Sequence, residues 1–138
     1  MLSLKNVMGA NGLSCIGFGS LFMLKASAVT TFLAVDNPAP PITVVIVGVI
    51  LVFNGVHLIW SSIQPNINKC LVAYFSLGDA LWVAISLSLV IFSLWITTTQ
   101  GIIATSLIAL MVGAFGVAQW LLLRRLKKQT IKSKKSKR

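Results

Sequence analysis

The stretch from Ile102 to Leu123, IIATSLIALMVGAFGVAQWLLL, carries no charged residue and runs directly into RRLKKQTIKSKKSKR at 124–138. About 20 mainly apolar residues are enough to cross roughly 30 Å of hydrocarbon as a helix. The stretch therefore reads as a transmembrane helix that stops at Arg124-Arg125. Working upstream, three more apolar runs qualify: about Val7 to Leu24, about Ile42 to Ser62, and about Leu71 to Ile96. The second opens after the breaker Pro38-Ala39-Pro40-Pro41, and the third ends before Thr97-Thr98-Thr99. All are continuously apolar rather than alternating, which predicts helices and argues against barrel strands. The expected fold class is all-α: a polytopic membrane protein whose residues 1–123 form a four-helix transmembrane bundle with short loops. A basic tail, 124–138, follows it.

Composition excludes the competing classes. Of 138 residues 57% are hydrophobic and only 10% are charged, with a net charge of +10 and no glutamate. A water-soluble domain of this size cannot hide so much apolar surface, and disorder requires low hydrophobicity. Two cysteines and one histidine leave no disulfide scaffold and no zinc set within one chain. No nucleophile, metal set or cofactor motif is visible, so the sequence predicts a non-enzymatic protein without cofactor.

Orientation follows from the basic residues. Nine of the twelve lie in the tail, from Arg124 to Arg138, and the positive-inside rule puts that tail in the cytoplasm. Four spans return the N-terminus with Lys5 to the same side, and the loop with Lys69 also falls inside. Lys25 is the exception, and its long side chain can snorkel to the outer headgroups. The tail is expected to lie against anionic lipid headgroups; it lacks the interleaved aromatics of a nucleic-acid binder. A competing reading takes Ala26-Ser27-Ala28 as a signal cleavage site, which leaves three spans and the same tail orientation. Asn11 within the apolar stretch and Lys25 near the cut argue against it. Residues Ala26 to Ala34 fit either a brief interfacial helix or an extension of the first span, since Val29, Phe32 and Leu33 share a helical face.

Polar residues inside spans are the candidate site. Asp79 costs about 3 kcal/mol near a helix centre, which the apolar third span can offset without facing the carboxylate to lipid. Ser76, Ser86 and Ser93 share its helical face and predict a polar stripe turned into the bundle. Asn54 and His57 are neighbours on the second span, Asn11 and Ser14 lie on the first, and Gln119 lies on the fourth. In the predicted topology Asn11, Asn54, His57, Asp79 and Gln119 all fall in the cytoplasmic half, and every span contributes. One reading makes them structural: cross-helix hydrogen bonds of about 0.6–2 kcal/mol each, with Gly9, Gly12, Gly113 and Gly116 allowing close approach. The other makes Asp79 and His57 a proton- or ligand-binding pair in a cytoplasm-facing cavity. Trp60, Trp82, Trp95 and Trp120 lie mostly near span ends, where aromatic belts form.

The layout of a Gly-rich first span, a Pro-bearing outer loop, Phe53-Asn54-Gly55-Val56-His57-Leu58-Ile59-Trp60, and Tyr74-Phe75-Ser76-Leu77-Gly78-Asp79-Ala80-Leu81-Trp82 resembles the small four-helix bacterial membrane proteins of DoxX-like type. The resemblance implies a location in the bacterial inner membrane and no particular activity. Small multidrug exporters are set aside because the first span has no glutamate. Vitamin K epoxide reductase-like enzymes need paired cysteines, whereas Cys15 and Cys70 lie far apart in the chain. The expected role is an accessory or scaffold subunit, with a homo-oligomer or a partner membrane protein as its contact. A small transporter or proton-coupled carrier is the alternative.

Overall fold

The computed structural model describes residues 3–136 as five helices: α1 (Leu4–Leu24), α2 (Ala26–Leu33), α3 (Pro41–Ile63), α4 (Lys69–Ile91) and α5 (Thr99–Ser136). Helices α1, α3, α4 and α5 are long and apolar enough to cross a membrane, so the chain is a multi-pass membrane protein with a four-helix bundle. Their polarity is arranged as lipid demands. Leu110 is 72% exposed on the outside, whereas Asn11 and Gln119 are fully enclosed. The end of the bundle that holds Ser3, the 64–68 turn and the tail is called here the tail end.

Local chemistry places the helix boundaries. Ser3 caps α1 by accepting from the Asn6 amide at 3.2 Å, and Asn68 caps α4 by accepting from the Cys70 amide at 2.9 Å. Pro41 occupies the first turn of α3, where no backbone donor is needed. Gln64 is extended because Pro65 follows it, and α3 ends there. The chain bends at Lys25, so Ala26–Leu33 is a short helix of its own rather than an extension of the first span. Thr98 joins this helix to α5. Its hydroxyl accepts from the Gly101 amide and donates to the Phe32 carbonyl at 2.6 Å, while the Thr97 and Thr98 amides donate to Leu33.

The third span is shorter than its apolar run predicts: α4 stops at Ile91, five residues before Ile96. The Leu94 amide reaches the Leu89 carbonyl and the Ser93 amide reaches that of Val90, while Ser93 takes φ 51°. This is a Schellman stop with serine at the position glycine usually fills. Ser93 is therefore exposed and outside the polar stripe, of which Ser76, Asp79 and Ser86 are buried. Ser93→Gly relieves the left-handed strain, and thermal unfolding in detergent is expected to show a gain of about 0.5–1 kcal/mol. Helix α5 does not end at Arg124 but continues without a break through Lys127, Lys128 and Lys132 to Ser136.

Packing divides the bundle into two pairs. α1 lies on α3 and α4 lies on α5, and the pairs meet mainly through α1 and α5. The α1–α3 seam is built on glycine. A Cβ on Gly55 would fall 2.6 Å from the Gly12 carbonyl oxygen, and one on Gly19 would fall 2.7 Å from that of Gly48. Gly12 and Gly19 are two turns apart, as are Gly48 and Gly55, so the antiparallel register pairs backbone with backbone at two levels. Of the four glycines expected to allow close approach, Gly12 and Gly116 do so. Gly9 and Gly113 meet only ordinary or slightly tight side-chain contacts. At the tail end Leu4, Met8, Leu58, Val72, Phe75 and Leu123 form a closed apolar cluster drawn from all four spans.

Candidate functional site: a carboxylate at the floor of an intramembrane cavity

Asp79 sits midway along α4, 5% exposed, with Oδ2 accepting two hydrogen bonds. Asn11 Nδ2 of α1 donates at 2.9 Å and Gln119 Nε2 of α5 donates at 3.2 Å. The three residues come from three helices and join the two helix pairs at one level. Gly116 makes the approach possible, since a Cβ there would lie 3.0 Å from Asp79 Cβ. Both partners act as donors, which suits a carboxylate acting as acceptor only. Asn11 also accepts a weak bond from Cys15 Sγ at 3.8 Å, and Asn54 Nδ2 reaches the same sulfur at 3.9 Å. Asn54 thus joins the network through Cys15, a residue the sequence offers no reason to place there. Gln119 Oε1, Ser76 Oγ and Trp82 Nε1 are buried without a hydrogen-bond partner.

His57 lines the same space as Asp79 but makes no hydrogen bond to it among the described residues. The hydrogen bonds on Asp79 come from Asn11 and Gln119, and the imidazole stands among aromatic rings instead. Its centroid lies 5.2 Å from Phe75 in an edge-on arrangement, 5.9 Å from Trp60 and 6.4 Å from Phe53. The His57–Phe75 contact bridges α3 and α4 just above the apolar cluster at the tail end. Ser14 bonds back to the Ala10 carbonyl on its own helix.

Above this level the bundle is hollow. A cavity of about 530 Å³ is lined by Asn11, Cys15, Asn54, His57 and Asp79 together with apolar residues of all four spans. That volume is in the usual range for small-molecule sites, and the mix of apolar walls with a few polar groups is their usual character. α3 and α4 make little or no backbone contact, and the cavity opens between them. Its mouth is framed by outward-facing apolar side chains: Ile50 and Phe53 on α3, Leu77 and Leu81 on α4. Toward the tail it is closed by the Met8, Leu58 and Phe75 cluster. The cavity therefore faces the flank of the bundle between α3 and α4. A smaller space of about 290 Å³ lies beneath α2 and shares Phe18, Phe22, Trp82 and Ile108 with the first.

Comparison with protein-family models, curated proteins and solved structures finds no match.

Proposed function

We propose that this chain is a non-enzymatic binding protein or carrier for a small hydrophobic solute, embedded in a bacterial inner membrane with both termini in the cytoplasm. The single observation that carries the reading is the cavity of about 530 Å³ with the Asp79 carboxylate at its floor. A subunit serving only as a scaffold needs cross-helix hydrogen bonds and closely packed helices, whereas here α3 and α4 stand apart around an open space. The scaffold reading keeps one specific support. The Asn11–Asp79–Gln119 tie links α1, α4 and α5 as a structural clamp would.

Native mass spectrometry of the protein extracted from its membrane separates the two. A carrier retains a small-molecule adduct that Gly78→Trp displaces, because Gly78 lines the cavity and a Cβ there meets nothing within 4 Å. An adduct-free protein that is unchanged by Gly78→Trp returns the assignment to the scaffold. The orientation is supported by eleven of twelve basic residues falling on one side of the proposed topology. A fluorescent protein fused after Arg138 is expected to fluoresce in the cytoplasm. Alkaline phosphatase activity from the same position overturns the topology.

A further inference from the structure

We infer that the cavity takes a lipophilic organic cation, which enters from the bilayer between α3 and α4 and sets its charge on Asp79. The inference rests on the binding-protein reading and names the class of solute. Three observations carry it: a carboxyl group bonded only by neutral amides, the character of the walls, and the position of the mouth.

The carboxyl group comes first. Asp79 is the only acidic residue in the membrane spans, and both groups that bond it are neutral amides. Those two bonds fall on Oδ2, and Oδ1 has no hydrogen-bond partner among the described residues. The basic side chains are occupied or distant. Lys5 Nζ donates to the Gln64 carbonyl at 2.7 Å, Arg124 stacks over Trp120 at 5.2 Å, and Lys25 is exposed at the far end of α1. A carboxylate held in low dielectric without a countercharge attracts a cation strongly, and its partner must come from outside the chain.

The walls select the kind of cation. Phe18, Phe22, Phe53, Tyr74 and Trp82 line the same space, and aromatic faces add cation–π attraction to an organic ammonium or phosphonium. A small inorganic ion would have to shed its water against these apolar surfaces with one carboxylate to replace it, which is unfavourable. An anion is repelled outright. The mouth then sets the route. Apolar side chains frame the gap between α3 and α4 and the tail end is closed, so a solute dissolved in the bilayer reaches Asp79 without crossing an aqueous vestibule.

The test uses the full chain in nanodiscs with three polyphenyl probes that differ in charge: tetraphenylphosphonium, tetraphenylborate and neutral triphenylmethanol. Equilibrium binding is measured above the partition into empty nanodiscs. Tetraphenylphosphonium is expected to saturate at one site per chain, and the other two are not. Asp79→Asn should weaken that binding by more than about tenfold, the scale of losing a desolvated charge partner. Gly78→Trp should abolish it while the chain remains folded, and Gly17→Trp, on a residue with nothing within 4 Å and outside the cavity lining, should leave it intact. Saturable triphenylmethanol binding that resists Asp79→Asn would overturn the cation assignment and leave the binding-protein reading standing. Failure of all three probes to saturate removes both. If Gly78→Trp instead converts a dimer to a monomer by native mass, the gap seats a second copy of the chain and the inference is wrong.

Discussion

Gly55→Leu is expected to leave almost no folded protein, whereas Gly78→Leu is expected to match the parent. The two glycines differ only in what surrounds them. At Gly55 the first side-chain carbon already falls 2.6 Å from the Gly12 carbonyl oxygen and 2.8 Å from Ile16 Cγ1. The nearest of these is backbone, which cannot rotate aside, so α1 and α3 must separate along the seam. Overpacking a filled core costs about 1–3 kcal/mol where side chains can shift, and a forced helix separation costs more. Gly12→Leu, Gly19→Leu and Gly48→Leu should behave alike, because each meets the partner backbone within 2.7–2.8 Å. The expected readout is aggregation on size exclusion and loss of a cooperative melting transition in detergent. A Gly55→Leu protein that melts with the parent would show that the seam does not hold the pair.

Asp79→Ala is expected to insert at least as well as the parent and yet melt at a clearly lower temperature. Membrane insertion and helix association are separate stages, and the substitution acts on them with opposite sign. Removing an aspartate from a span favours insertion by about 3 kcal/mol on the biological scale. The folded bundle loses the acceptor shared by Asn11 and Gln119, leaving two buried amide donors unpaired. Each costs about 1–3 kcal/mol, which exceeds the value of an ordinary cross-helix bond. Asp79→Asn keeps an acceptor oxygen in place and should recover most of that stability. Adding Asn11→Ala to Asp79→Ala should cost less than the sum of the two single changes, since the stranded donor disappears with it. Membrane abundance and detergent melting, measured side by side, check both signs. A lower abundance for Asp79→Ala with unchanged melting contradicts the tie.

His57→Leu separates the observed surroundings of His57 from the pairing expected from sequence. The ring packs on Phe75, Trp60 and Phe53, so the change should cost stability through lost contact and leave the Asn11–Asp79–Gln119 bonds alone. A double-mutant cycle between His57 and Asp79 is therefore expected to give coupling near zero, within about 0.5 kcal/mol.

The amino-acid sequence by itself determined the four spans and most of the polar residues that turn inward. These are local properties. A bilayer requires each helix to satisfy its own backbone and to face lipid with apolar side chains, so span length and polar placement are written segment by segment. Asn11, Asp79 and Gln119 could be grouped by depth because the topology of four antiparallel spans puts them at one height. What only the tertiary structure decided depends on how helices rotate and slide against one another. The pairing of Gly12 with Gly55 and Gly19 with Gly48 is a register, and neither pair is visible within one helix. The stop at Ser93 escaped the apolar pattern because a Schellman turn filled by serine leaves no glycine to read. His57 shares a depth with Asp79 but not its hydrogen bonds, since the rotation of α3 carries the ring to Phe75. The gap between α3 and α4, which makes the cavity and opens it sideways, comes from two tight helix pairs meeting along one edge, and no single segment encodes it.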